Sequence, residues 1–210
     1  MRRRIDAAAR AAGRELDSVR LVAVTKTVDV AVVRAAYDSG QRDFGENRAQ
    51  ELVAKAPQLP DDIRWHVIGP VQTNKVRALA AHVSVWHTVD RVSLIDELVR
   101  RDVTAPVLVE VNVGEEPRKA GCRRADIDAL VTSARSAGLD VQGLMCVPPL
   151  ADDPRSHFAW LRAAAGRLDL CELSMGMTGD FEVAVGEGAT MVRVGTAIFG
   201  SRPGSKRGLG

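Results

Sequence analysis

The sequence predicts an α/β protein made of one domain, a closed (β/α)8 TIM barrel. Three observations lead there. Short runs rich in valine and isoleucine recur eight times with helical stretches between them, the pattern of βα units on a parallel sheet rather than of hairpins. Each run is almost continuously apolar, as strands covered on both faces are. A length of 210 residues suits one such barrel with a sizeable core.

The predicted strands cover 21–25, 43–46, 65–68, 83–88, 107–113, 141–147, 172–175 and 191–194. Helix signals fall between them. Asp29 is placed to cap a helix over 30–39 that Gly40 stops, and Asp153-Pro154 supplies a cap with proline at the first helical position. Further helices are predicted over 48–55, 74–80, 92–101, 125–137, 155–168 and 179–186, several with charge on one face and alanine or leucine on the other. The domain is expected over 1–202, followed by a glycine- and charge-rich flexible tail over 203–210.

Composition narrows the function. Lys and Arg number 29 against 27 Asp and Glu, and the net charge of +2 gives no electrostatic grip on nucleic acid. Eight scattered aromatic residues (3 Trp, 1 Tyr, 4 Phe) form no stacking platform for single strands. Cys122, Cys146 and Cys171 are widely spaced with no Cys-x-x-Cys, which argues against both a disulfide framework and a zinc site. The start of the chain lacks the apolar stretch of a signal peptide, and no segment is long enough to span a membrane. A cytoplasmic protein is expected.

Chemistry in such a barrel belongs at the carboxyl ends of the strands. The polar residues found there are Lys26, Asn47, His66, Asn112, Ser174 and Arg193. Lys26 ends the apolar run from Arg20, where a strand delivers an amine into a cleft. Gly176 and Gly195 allow close backbone approach, and the loops carrying Ser174-Met-Gly-Met-Thr178 and Gly195-Thr196 occupy the usual phosphate position of barrels, after strands seven and eight. Plainer roles suit some of these residues equally: Asn47 a helix cap, Ser174 a partner for a nearby backbone group, His66 a hydrogen-bonded core histidine.

Five ordered blocks carry a family resemblance: Val24-Thr-Lys26, Phe44-Gly-Glu-Asn47, Trp65-His-Val-Ile-Gly69, Leu173-Ser-Met-Gly-Met177 and Met191-Val-Arg-Val-Gly-Thr-Ala-Ile-Phe-Gly200. With these in place the chain resembles the YggS/PROSC family of pyridoxal-phosphate-binding proteins over nearly its whole length. The resemblance implies a lone barrel like that of bacterial alanine racemase. It implies that Lys26 forms a Schiff base with pyridoxal 5′-phosphate, that Ser174, Gly195 and Thr196 hold the phosphate, and that Arg193 faces the pyridine nitrogen. Asn47 and Asn112 align with polar residues near the ring, with Met145 beside them. Lys119, in the loop after strand five, matches a family lysine overhanging the same mouth.

Two features depart from the family. Pro70 stands where the family usually has histidine, removing a titratable side chain and a backbone donor. The N-terminal segment is shorter than usual, so an outer helix is expected to fray.

Arginine opposite the ring nitrogen disfavours the electron-sink chemistry that a carboxylate partner would promote. Alanine racemases share such an arginine, but add a tyrosine from a second domain across a dimer. No such domain is expected here, and the sole tyrosine, Tyr37, falls on the first barrel helix. The expected function is therefore a monomeric protein that holds pyridoxal phosphate on Lys26 and buffers or delivers it to apoenzymes, in vitamin B6 and amino-acid balance, without turnover. The alternatives are a single-domain racemase that uses the same cofactor and a cofactor-free Schiff-base aldolase.

Overall fold

Parallel pairing in strict chain order, with the eighth strand returning to the first, closes the sheet into a barrel in the computed structural model. The structure describes residues 1–200; the expected tail over 203–210, and the end of the expected domain at 202, lie outside the described residues. The strands are β1 (Arg20–Val24), β2 (Asp43–Glu46), β3 (Arg64–Val67), β4 (Val83–Val89), β5 (Val107–Val111), β6 (Val141–Cys146), β7 (Glu172–Ser174) and β8 (Met191–Val194).

All eight match the sequence reading to within two residues at either end. The largest difference is at β5, whose ladder stops at Val111. There the Asn112 N–H turns to the Cys122 carbonyl (2.9 Å) and the Val113 N–H to the Val111 carbonyl (3.0 Å), which takes the chain out of the sheet.

Helices α1 (Arg2–Ala11), α2 (Val30–Asp38), α3 (Ala49–Lys55), α4 (Val76–Leu79), α5 (Val92–Arg100), α6 (Ile127–Ser136), α7 (Pro154–Arg167), α8 (Phe181–Gly186) and α9 (Thr196–Phe199) surround the barrel. The two expected caps form: Asp29 accepts from the Ala31 N–H at 2.8 Å and Asp153 from the Arg155 N–H at 3.1 Å. The helix expected over 74–80 opens instead as a 3₁₀ turn, Thr73–Lys75, before α4. The N-terminal helix does not fray. Ile5 and Ala9 of α1 are fully buried, and Arg2 ties it to the Val19 carbonyl at 2.8 Å.

Two apolar regions result from the alternation of side chains along the strands. The larger lies between sheet and helices and holds Phe44, Trp65, Trp86, Leu144 and Cys146; the smaller, inside the barrel, is Val22, Val85, Leu108, Met145 and Met191. That inner set fixes which residues point inward: Asp43, Gly45 and Asn47; His66; His87; Glu110 and Asn112; Ser174; and Arg193 share its parity. Gly143 is inward too, and a Cβ there would lie 2.0 Å from the Glu172 carbonyl oxygen, so only glycine lets β6 and β7 approach this closely. Among the described residues no helix is long and apolar enough to cross a membrane.

Candidate functional site

Lys26 lies two residues beyond β1, exposed, in a turn closed by the Val28 N–H on the Thr25 carbonyl at 2.9 Å. Both neighbours are clamped. The Thr25 carbonyl accepts from Lys55 Nζ at 2.7 Å, and the Thr27 N–H donates to Glu51 at 2.7 Å. Thr27 is held at φ 62, a left-handed conformation that a β-branched residue adopts only under constraint. The backbone is thus braced on either side of an amine that has no partner among the described residues.

The brace is anchored between sheet and α3. Lys55 Nζ lies 2.6 Å from Glu46 Oε1, and the Thr25 hydroxyl donates to the same oxygen at 2.7 Å. Burial pushes the Glu46 carboxyl up in pKa against the pull of Lys55 and Thr25.

On the β7 and β8 side of the mouth, next to β1, Thr178 and Thr196 put their hydroxyls 3.1 Å apart, one from the loop after β7 and one at the start of α9 beside Gly195. The first turn of a helix leaves backbone N–H groups without helical partners. Asn47 directly follows β2, with its Oδ1 buried and unpartnered among the described residues. Gly69 keeps that arrangement possible: a Cβ there would fall 2.2 Å from the Asn47 carbonyl oxygen.

The remaining expected residues are deeper or already engaged. Asn112 spends both ends of its amide on its own loop, accepting from the Glu116 N–H at 3.1 Å and donating to the Glu116 carbonyl at 2.9 Å. Lys119 is bonded to Glu116 and to the Pro148 carbonyl. Ser174 is fully buried, its hydroxyl joined to His87 and to Arg193 rather than lying at the rim. Arg193 is 4% exposed and donates from Nη1 to the Ser174 carbonyl and hydroxyl, both at 2.7 Å, and from Nη2 to the Cys146 carbonyl at 2.8 Å. His66 is a buried, hydrogen-bonded histidine, 3.0 Å from Asp43. Tyr37 is in the outer layer, its hydroxyl donating to Asp62 at 2.6 Å.

Lys55 and Glu110 were not singled out from the sequence, and Thr178 was named only as the last residue of the loop after strand seven. Glu110 points into the barrel from β5, 8% exposed, with Oε2 unpartnered among the described residues. Burial, followed by the charge of Asp90, pushes its carboxyl up to about 7. A folded-state pKa raised this way carries stability that is full below the unfolded value and is lost as pH rises through about 7. Glu110→Gln cannot ionise, so urea denaturation is expected to show it more stable than the parent at pH 8, by up to about 3 kcal/mol, and no more stable at pH 4. Equal stability at both pH values would show that Glu110 ionises without cost.

Comparison with known proteins places the chain in a class. Residues 1–203 match the family described as alanine racemase, N-terminal domain, so the chain is a barrel of the alanine racemase type. It is 44% identical over 210 residues to the pyridoxal phosphate homeostasis protein of Pseudomonas aeruginosa, covering 95% of this chain and 91% of that one. Against the protein of the same name from Escherichia coli K12 the identity is 38% over 226 residues, covering 99% and 96%. PipY of Synechococcus elongatus, solved with pyridoxal phosphate bound, superimposes with a TM-score of 0.82 at 36% identity, over 93% of this chain and 100% of that one. The chain belongs to the family of pyridoxal phosphate homeostasis proteins.

Proposed function

We propose that this chain binds pyridoxal 5′-phosphate at the barrel mouth, held covalently but reversibly through Lys26, and acts as a cytoplasmic carrier in vitamin B6 homeostasis. The observation that carries this reading is the free Lys26 amine on a backbone clamped at Thr25 and Thr27. Its relatives' names and the pyridoxal phosphate in PipY support it.

The residues present suit the group. An exposed amine serves an aldehyde, the Thr178 and Thr196 hydroxyls beside Gly195 serve a phosphate, and the orphaned Asn47 Oδ1 marks an unfilled polar position. Three of the five N–H donors of Arg193 are used within the barrel wall. Two are left for a ring nitrogen. In this reading Thr178 takes the phosphate with Gly195 and Thr196, Ser174 acts through Arg193, and Asn112 braces the overhanging loop.

When bound, the cofactor supplies an aldehyde that condenses with amines and a ring that withdraws electrons from the attached carbon. Arg193 restrains the second property. A guanidinium only donates, so it favours an unprotonated ring nitrogen and makes a delocalised carbanion costly. Tyr37, bonded to Asp62 in the outer layer, is not placed to exchange protons at the mouth. These two features favour binding without turnover, and the reading is of a monomer that passes its cargo to apoenzymes.

Titrating the purified protein with pyridoxal phosphate is expected to give a visible absorption band that saturates at one equivalent, with no racemisation of L-alanine or L-serine. Turnover of either amino acid would make the protein an enzyme. Failure to develop the band would favour a cofactor-free aldolase.

A further inference from the structure

Below the mouth, inward-facing side chains from five strands join in one hydrogen-bonded chain that crosses the barrel. Arg64, on β3, grips the Asp43 carboxylate of β2 through Nε at 2.8 Å and Nη2 at 2.5 Å. Asp43 Oδ1 lies 3.0 Å from His66 Nε2, His66 Nδ1 lies 2.8 Å from His87 Nε2 on β4, and His87 Nδ1 lies 2.8 Å from the Ser174 hydroxyl on β7. Arg193 Nη1, on β8, closes the chain at 2.7 Å from that hydroxyl. The line starts at the floor, where the Arg64 side chain is 56% exposed, and climbs to the buried arginine under the mouth.

Burial favours neutral imidazoles, and with both rings neutral the ends decide where every proton sits. The ionised Asp43 draws the proton of each ring onto Nε2, so Ser174 accepts from Arg193 and gives its own proton to His87 Nδ1. His87 then carries its proton on Nε2 and donates to His66 Nδ1. His66 in turn carries its proton on Nε2 and donates to Asp43, which can only accept while ionised. With both imidazoles neutral, each is an Nε2–H tautomer and no other arrangement satisfies every link.

The surrounding charges agree with that assignment. Burial pushes the Asp43 carboxyl up, but the hydrogen bonds from Arg64 and His66 outweigh it and hold it well below the usual carboxylate range. Burial holds His66 down despite Asp43, with Arg20 and Arg64 adding to the effect. His87 is held down by burial, then by His66, Arg193 and Arg20.

We propose that His66 and His87 are positioning residues for the cofactor site: together with Asp43 they fix the Ser174 hydroxyl as an acceptor, which locks Arg193 with its uncommitted donors toward the ring nitrogen. This rests on the reading above in which Arg193 faces the cofactor ring. It also explains why Ser174 is unavailable to a phosphate, since its proton is already given to His87. A polar line through a barrel interior is costly unless every member is satisfied, and here one orientation satisfies them all.

The test has two parts. Nitrogen NMR of histidine-labelled protein, free of cofactor at pH 7, is expected to show His66 and His87 as neutral Nε2–H tautomers. An Nδ1–H tautomer or an imidazolium at either position would overturn the proposal. In the loaded protein, His87→Phe keeps a ring but cuts the chain. It is expected to weaken pyridoxal phosphate binding about tenfold, the worth of one buried hydrogen bond, and to move the visible band. His87→Gln, whose amide can accept from Ser174 and donate to His66, is expected to restore both to near the parent.

A purely structural histidine would lower the melting temperature of His87→Phe and leave the band of the folded protein where it was. That outcome, or equal loss in His87→Gln, would sink the proposal while leaving binding on Lys26 intact. Absence of a band in the parent would instead remove the reading on which it rests.

Discussion

Replacing Lys26 with alanine abolishes the visible band of the protein mixed with pyridoxal phosphate, while the melting temperature stays within about 2 °C of the parent. The two halves of this expectation have separate causes. The amine is the sole group at the mouth proposed to bond covalently to the aldehyde, and Lys119, the other candidate, is tied to Glu116 and the Pro148 carbonyl. The Lys26 side chain is exposed, so its truncation opens no cavity. The clamps on Thr25 and Thr27 run through backbone atoms of the neighbours and survive the change. Weak phosphate-led association persists without colour. A band that remains, and that borohydride fixes, would place the covalent link elsewhere.

Lys55→Met is expected to cost about 3–5 kcal/mol at pH 7, read from urea denaturation, because it strands the Glu46 carboxylate in a buried layer without its cation. Glu46 already lies above the usual range through burial, and loss of Lys55 raises it further. Stability carried by a raised carboxyl is full below its unfolded pKa and lost as pH rises through the folded one, so the defect shrinks as pH falls toward 5. Adding Glu46→Gln recovers most of the loss at pH 7, since both charges then leave together. The same lysine holds the Thr25 carbonyl at 2.7 Å, so the variant also loosens the turn that presents Lys26 and weakens cofactor binding. Undiminished stability at pH 7 would show that the Glu46 and Lys55 pair is not a structural anchor.

How far the sequence carries this picture differs by level. Strands announce themselves by composition: Val107–Val111 and Met191–Val194 read as buried strands because nothing else explains such runs of branched residues. Helix starts were legible where Asp29 and Asp153 cap them. The 3₁₀ turns at Thr73–Lys75 and Arg124–Asp126, and the short α9, were not, because they lack both the length and the capping signal that periodicity needs.

Of the residues proposed for the site, Lys26, Asn47, Gly195 and Thr196 were legible because they follow strands or open loops. Ser174 was placed at the mouth by position alone, and its buried partners could not be read. His66 and His87 are 21 residues apart and Ser174 another 87 beyond, so only barrel closure joins them. Glu110 was hidden inside an apolar run. Counting alternate residues outward from Leu108 would have turned it inward. Lys55 reads as an ordinary basic residue in the last turn of a helix, and only the docking of α3 on β2 buries it.

The central claim is one covalent site, and the most direct measurement is mass spectrometry of peptides after borohydride reduction of the protein saturated with pyridoxal phosphate. A single reduced adduct is expected, on the peptide containing Lys26. An adduct on Lys119 or another lysine, or none at saturation, would contradict it.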